Sequence, residues 1–377
     1  MQQIIPNLTG HARFETAPAR LTIDLAAVVA NWRTLAGLSG RASTSAVVKA
    51  DAYGVGAVPV GQALHRAGCR DFFVATPDEG VRLRQALPDA RIFVLTGLWA
   101  GNEDRILAAN LVPVINSLQQ LQVLKATGRQ HPYALHVDTG MNRLGLTLAE
   151  ATAIAAAQDP NLALVMSHLA CPDHPGHALN RQQCESFQQV AKLFAGVESS
   201  LSSSAGILLG SDYHFDLTRP GIALYGGLDI DGVRYPTQTA VTAEARILQI
   251  RSVRKGDAVS YGATHTFGSD GRVAVVAAGY ADGWQRSLSG SGVKARADGS
   301  SGAMGFVAGH RVPVIGRITM DLTIFDLSAV PDGVVHEGDC VELFGKHIAL
   351  TDAAAAAGTI SYELLTSLGQ RYTRAYL

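Results

Sequence analysis

Short apolar runs recur at a steady interval along the first two-thirds of the chain, separated by stretches with helical periodicity. Residues 21–25 alternate like a strand and hand over to a helical stretch at 26–38. Apolar strands are then expected at 46–49, 72–75, 92–95, 112–115, 133–137, 162–168, 199–203 and 221–225. Between them, helices are expected at 58–67, 78–87, 118–126, 147–157 and 181–194. Thr76-Pro77-Asp78-Glu79 places a threonine cap, a proline at the first helical position and a glutamate three residues after the cap. Asn116 and Ser117 offer caps for the helix at 118. Strands alternating with helices imply parallel βαβ units, and eight of them in about two hundred residues fit a closed (β/α)8 TIM-type barrel. An open doubly wound sheet is the alternative, but no GxGxxG follows a first strand and no GxxxxGK[ST] occurs.

Near residue 235 the rhythm changes. Tyr235-Pro236-Thr237 reads as a hinge, and beyond it strands follow one another without intervening helices, at 241–250, 258–261, 272–278, 311–327 (one strand or two) and 340–344. Helices are expected after the cap pair Thr351-Asp352. The fold class is therefore α/β, an N-terminal (β/α)8 barrel over 12–236 followed by a C-terminal mostly-β domain over 237–377. The N-terminal strand near 21–25 can pair with either domain.

Composition narrows the function classes. With 47% hydrophobic residues among 377, the chain can build a sizeable core, and Lys+Arg 31 against Asp+Glu 32 leaves no electrostatic footprint for nucleic acid or an acidic membrane. Cys69, Cys171, Cys184 and Cys340 are scattered without CxxC or zinc-type spacing, which suits a reducing cytosol. Pro6, His11, Arg13, Glu15 and Arg20 interrupt the first twenty residues, so no apolar signal core is expected there. No uninterrupted apolar run approaches ~18 residues, the length a spanning helix needs. The expectation is a cytoplasmic globular protein.

In a barrel of this kind the chemistry lies at the carboxyl ends of the strands. The first barrel strand ends in Lys49, and the fifth runs into Asp138-Thr139-Gly140-Met141-Asn142-Arg143. The sixth ends in Ser167-His168, the seventh opens into Ser202-Ser203-Ser204, and Arg219-Pro220-Gly221-Ile222 leads into the eighth. A lysine against apolar walls has a lowered pKa, and its free amine can form a Schiff base with an aldehyde cofactor. Equally, it can be a solvated lysine at a strand end. Arg143 and Arg219 read either as ligand-binding cations or as rim salt-bridge residues. The serine cluster reads as a loop or, with Gly221, as a phosphate cradle of hydroxyls and backbone N–H groups. His168 reads as a structural histidine as readily as a ligand. No second histidine or acid stands at metal-pair spacing from it, so no metal site is expected.

Seven segments in order resemble the alanine racemase family. They are Ala46-Val47-Val48-Lys49-Ala50-Asp51-Ala52-Tyr53-Gly54-Val55-Gly56, His136-Val137-Asp138-Thr139-Gly140-Met141-Asn142-Arg143-Leu144-Gly145 and Arg219-Pro220-Gly221-Ile222-Ala223-Leu224-Tyr225-Gly226. Further on come Val259-Ser260-Tyr261-Gly262-Ala263-Thr264, Gly279-Tyr280-Ala281-Asp282-Gly283, Gly316-Arg317-Ile318-Thr319-Met320-Asp321 and Thr359-Ile360-Ser361-Tyr362-Glu363. The resemblance covers nearly the whole chain. It implies a pyridoxal 5'-phosphate enzyme of fold type III, with a barrel and a β domain, working as a homodimer whose active sites are shared between subunits.

By that resemblance Lys49 carries the cofactor, while Tyr53, Ser204, Gly221, Ile222 and Tyr362 hold its phosphate. Arg219 faces the pyridine nitrogen with His168 in its hydrogen-bond chain, and Arg143 reaches the cofactor phenolic oxygen and the substrate carboxylate. Tyr261, with Met320 as a substrate contact, comes from the other subunit. Racemisation needs acid/base groups on both sides of the cofactor plane, and Lys49 and Tyr261 are the implied pair. His136 stands where many relatives have a lysine that becomes carbamylated and orients the arginine. Val55 replaces a usual histidine, and Ser203 replaces an asparagine often found before the phosphate serine. The implied function is interconversion of L- and D-alanine, supplying D-alanine for peptidoglycan. The alternatives are a broad-specificity amino-acid or serine racemase, a barrel-type decarboxylase or D-amino-acid aldolase, and a non-catalytic pyridoxal-phosphate carrier.

Overall fold

The computed structural model describes residues 14–230, 236–293 and 302–377. They form two compact units, one of residues 25–238 and one combining the described residues up to 24 with those from 239 onward. Tyr235 of the expected hinge lies outside the described residues.

The chain enters through β1 (Ala19–Ile23), a strand of the second unit, and α1 (Leu25–Leu38) opens the first. There follow β2 (Ser43–Thr44), β3 (Ala46–Val47), α2 (Ala57–Arg66), β4 (Asp71–Val74), α3 (Pro77–Ala86), β5 (Arg91–Val94) and α4 (Glu103–Ala108). The unit is completed by β6 (Val112–Ile115), α5 (Leu118–Ala126), β7 (Tyr133–His136), α6 (Leu148–Ala155), β8 (Leu162–Met166), α7 (Ala178–Leu193), β9 (Glu198–Ser200) and β10 (Leu217–Thr218). Strands β3 to β9 lie in sequence order in one parallel sheet. With helices on the outer face, these strands are covered on both sides, so β6 and β7 are buried at every residue and read as unbroken apolar runs.

The ladder closes through β10. Asp216 N–H donates to Ser199 O at 3.0 Å and Arg219 N–H to Ser202 O at 2.8 Å, while Ser45 and Val47 donate to Thr218 O and Pro220 O at 2.9 Å. Eight parallel segments therefore close a (β/α)8 barrel. The eighth strand is not at 221–225, however: that stretch is a 3-10 helix, Ile222–Tyr225, and the strand precedes it. A short continuous apolar run does not distinguish a buried strand from a buried helical turn, and Pro220, lacking an N–H, ends the ladder. Helix α4 lies in an interval where none was expected. The capping box at Thr76 and Glu79 forms as read from the sequence. Ser117 caps α5, whereas the Asn116 side chain turns elsewhere.

In the second unit β11 (Val241–Val253) is the spine, alternating buried and part-buried residues over its first half. Around it lie β12 (Ala258–Val259), β13 (His265–Thr266), β14 (Gly271–Val276), β15 (Met304–Val307), β16 (His310–Pro313), β17 (Thr323–Asp326) and β18 (Cys340–Phe344). Then come α8 (Leu350–Ala357), α9 (Ser361–Thr366) and β19 (Thr373–Tyr376). Strand β11 pairs antiparallel with β1, β14 and β18, and β1 pairs in parallel with β19. The apolar stretch 311–327 resolves into β16 and β17, and β15 and β19 were not foreseen. Thr351 and Asp352 do not cap α8. They sit in its first turn, behind Ala349. No helix among the described residues is long and apolar enough to cross a membrane.

Candidate active site

Lys49 leaves β3 at the carboxyl end of the barrel, and its surroundings are not those of a solvated lysine. Burial, reinforced by the charge of Arg143 and opposed by Glu79, pushes its amine below the usual lysine pKa. The next four residues, Ala50 to Tyr53, all have φ between 53° and 58°, a left-handed turn built without glycine. Such a conformation costs roughly 1–2 kcal/mol for each L-residue. It is held by Ala52 N–H to Val48 O and Gly54 N–H to Ala50 O, both 2.8 Å. Side chains add Ala50 N–H to a Glu79 oxygen at 2.7 Å and Ala57 N–H to an Asp51 oxygen at 2.8 Å.

The turn delivers the buried Tyr53 ring against Tyr225, 5.1 Å between centroids, and toward Gly221. A Cβ on Gly221 would stand 2.2 Å from the Tyr53 hydroxyl oxygen, so only glycine leaves that approach open. Ser204, 2% exposed, accepts Gly221 N–H at 2.8 Å and Ala223 N–H at 3.3 Å, and Ile222 starts the adjoining 3-10 turn. A phenol, a hydroxyl and main-chain N–H groups thus lie together here, donor types that suit a phosphate.

Arg219 is buried and forms no ion pair among the described residues. Its guanidinium donates to Ser200 Oγ, to Ser167 O at 2.6 Å and to Leu201 O at 3.2 Å, lies 3.5 Å from His168 Nδ1, and sits over the Phe73 ring. Burial pulls it down to about 9, still cationic at neutral pH. Burial and the neighbouring Arg219, Arg143, Lys49 and His136 hold His168 far below the usual imidazole range. Arg143, exposed, has no hydrogen bond or ion pair among the described residues. His136, at the end of β7, is pushed down to about 4 by burial, then Arg219 and Arg143, against Asp138. Its Nδ1 lies 2.8 Å from Asn116 Oδ1. Asn116 Nδ2 donates to Leu95 O and Val114 O, which fixes its amide orientation and makes the His136 Nδ1 the protonated nitrogen.

The acids nearby are engaged by the main chain rather than by these cations. Asp138 accepts N–H groups of Gly140, Met141 and Asn142 at 2.8–2.9 Å, and Glu79 those of Ala50, Ala75 and Thr76. Among the described residues Arg143 and Arg219 have no carboxylate partner, so their positive charge stays uncompensated, an arrangement suited to anionic ligands. Among the described residues, no group of three His, Cys, Asp or Glu could hold a metal.

Three remaining residues belong to the second unit. Tyr261 is 73% exposed, on a short turn where Ser260, Gly262 and Ala263 all have positive φ and Ser260 Oγ donates to Arg317 O at 2.7 Å. Met320, 54% exposed, sits on a loop whose carbonyls at Thr319 and Met320 accept Tyr280 and Ala281 N–H at 3.0 Å. Tyr362 lies on α9. Arg371 bridges the buried Asp282 and the exposed Asp321, tying the Met320 loop to the turn at 280–282. In the sequence Glu79 and Asn116 read only as helix-capping residues. Their positions one strand away from Lys49 and His136 were the available signal.

Residues 23–229 match the family model for the alanine racemase N-terminal domain and residues 240–376 that for its C-terminal domain. The biosynthetic alanine racemase of Agrobacterium fabrum is 55% identical over 97% of this chain and 95% of its own length. The alanine racemase of Rhizobium meliloti is 52% identical over 97% and 98%. A crystal structure of alanine racemase from Bartonella henselae with covalently bound pyridoxal phosphate superposes with a TM-score of 0.87 at 37% identity, covering 96% of this chain and all of that one.

Proposed function

The chain belongs to the alanine racemase family, and we propose that it interconverts L- and D-alanine, with pyridoxal 5'-phosphate carried on Lys49 and proton transfer shared by Lys49 and Tyr261. The observation that carries the reading is Lys49 itself: a lysine at a barrel strand end, its amine driven toward the neutral form by burial and by Arg143. A lowered pKa enlarges the fraction of free amine, the form that acts as nucleophile and base.

The residues present fit the cofactor. Ser204, the main chain at Gly221 and Ile222, and the Tyr53 hydroxyl would take the phosphate, and Gly221 keeps the space a Cβ would fill. Tyr362 completes that set by family resemblance. When bound, pyridoxal phosphate supplies an aldehyde carbon for an amine and a conjugated ring that spreads the electron pair left by a departing α-proton. Arg219, an N–H donor with no acceptor atom, would face the ring nitrogen. Held by neutral acceptors, it donates a hydrogen bond without surrendering a proton. Arg143, which has no carboxylate partner among the described residues, would bind the substrate carboxylate.

Lys49 Nζ then takes or returns the α-proton on one side of the substrate and the Tyr261 hydroxyl does so on the other. Tyr261 and Met320 are both mostly exposed, which supports their use by a second copy of the chain in a homodimer. The 55% identity to a racemase called biosynthetic supports a role in supplying D-alanine for peptidoglycan, a cytoplasmic task. The test is enantiomer interconversion across a panel of amino acids, with bound cofactor measured by absorbance, in the chain and in Lys49→Ala. Alanine is expected to turn over fastest, and Lys49→Ala to lose both turnover and the visible absorbance. Cofactor binding without turnover of any amino acid would overturn the assignment, and faster turnover of serine would reassign the substrate.

A further inference from the structure

We propose that Glu79 is a positioning residue for Lys49: one of its oxygens holds the Ala50 N–H and the other the Ala75 and Thr76 N–H groups, so that a single carboxylate sets the direction in which the lysine leaves its strand. The inference rests on Lys49 being the cofactor-bearing residue. Strand β3 runs parallel to β4, and Val48 N–H donates to Phe73 O at 2.9 Å. In a regular parallel ladder the next rung would be Ala75 N–H to Val48 O. That rung is missing. Val48 O instead accepts Ala52 N–H at 2.8 Å, from within the left-handed turn, and Ala75 N–H goes to Glu79 Oε2 at 2.7 Å. The other oxygen, Oε1, takes Ala50 N–H at 2.7 Å. Glu79 therefore ends the ladder on both strands at once and holds the first residue of the strained turn.

The same glutamate is the third residue of helix α3 and closes the capping box with Thr76. Its placement is thus fixed by the helix, and through it the helix start is linked to the backbone of Lys49. A carboxylate is needed because both of its oxygens accept. An amide accepts on one side only and would turn an NH2 donor toward N–H groups on the other.

The test compares Glu79→Gln with Thr76→Ala, which removes the threonine half of the capping box and leaves the Ala50 contact. Two measurements are made on the cofactor-loaded enzymes: kcat and KM for alanine, and the rate at which hydroxylamine strips the bound pyridoxal phosphate. Glu79→Gln is expected to lower kcat by about tenfold or more with KM within about twofold, and to speed stripping by about threefold or more. Thr76→Ala is expected to change both by less than about twofold, while lowering the melting temperature. Adding Ala50→Gly to Glu79→Gln should recover about threefold in kcat, because glycine takes a positive φ without the carboxylate's help. If Glu79→Gln folds poorly, Glu79→Asp, whose carboxylate is withdrawn by one methylene, is judged by the same ordering. Equal behaviour of the Glu79 and Thr76 variants in both assays, or no recovery with Ala50→Gly, overturns the inference. Lys49→Ala separates this from failure of the underlying reading. Should that variant still racemise alanine, the assignment of Lys49 falls, whereas its inactivity beside an unaffected Glu79→Gln removes only the role of Glu79.

Discussion

Acid should destabilise the barrel unit through His136 in a way that can be isolated from every other group. The ring is 8% exposed, and Asn116, anchored by two carbonyls, fixes the proton on Nδ1. Charging the ring places a second proton on Nε2, in the field of Arg219 and Arg143 and out of water, which is why its pKa falls from 6.5 to about 4. The native state therefore resists a proton that the unfolded chain accepts. Between about pH 4 and 6.5 the unfolded chain binds more protons, so stability rises with pH across that window. Above it His136 contributes no penalty, and below it the penalty is complete. A lowering of that size corresponds to on the order of 3 kcal/mol. The assay is urea unfolding from about pH 4 to 7 for the chain and for His136→Asn, whose amide can still donate to Asn116. Subtracting the two cancels His168, the carboxylates and every other shared titration. The difference should grow by about 2–3 kcal/mol from pH 7 to 4, and nitrogen NMR should show a neutral, Nδ1-protonated ring down to about pH 5. Parallel curves, or a His136 titration near the free imidazole value, would refute the reasoning.

Two further outcomes follow from the same geometry. In Gly221→Ala the new Cβ meets the Tyr53 hydroxyl at 2.2 Å while Tyr225 backs that ring. Pyridoxal phosphate should bind about tenfold more weakly and stability fall by about 1–3 kcal/mol, checked by absorbance titration and melting, and an unchanged affinity would remove Gly221 from the phosphate site. Tyr261→Phe should slow exchange of the α-proton of one alanine enantiomer by about tenfold more than that of the other, measured by deuterium incorporation from each side. Equal, small effects would take Tyr261 out of proton transfer.

Where burial is two-sided, the pattern alone located the elements: β4 to β8 are apolar runs between polar breaks, and a run that short and that apolar has few alternatives once helices flank it. The same criterion misled at 221–225, where an apolar run is a helical turn packed inside, Asn31 Nδ2 donating to Leu224 O. Helix α4 has only six residues and no readable period. The left-handed turn was illegible for a different reason. Of Ala50, Asp51, Ala52 and Tyr53, only Asp51 has any tendency to positive φ, and the group holding the first of them, Glu79, is 29 residues away and doubles as a helix cap. Local preference predicts the opposite conformation there, and the tertiary hydrogen bonds override it. Likewise Asn116 reads as a cap from its neighbours in sequence, while its function as the partner of His136 depends on the register of β6 and β7.

The distribution of carboxylates connects these points. An acid placed beside Arg219 or Arg143 would lessen the cost of those cations, which for a buried charge is several kcal/mol. Yet the acids beside Lys49 and after β7, Glu79, Asp51 and Asp138, accept from main-chain N–H groups, and Arg219 is met by carbonyls and a hydroxyl. Neutral acceptors satisfy the geometry of a guanidinium without cancelling its charge, so the field at the strand ends stays positive. The protein without ligand therefore carries a destabilising cluster that a dianionic phosphate or a carboxylate relieves. Binding such an anion should raise stability as RT ln(1 + [L]/Kd), and the rise should be smaller when Arg219 is replaced by methionine, because the repulsion being relieved is smaller. An equal rise in both proteins would mean that the cations are balanced in some other way and that the carboxylates' attachment to the backbone has no bearing on the site.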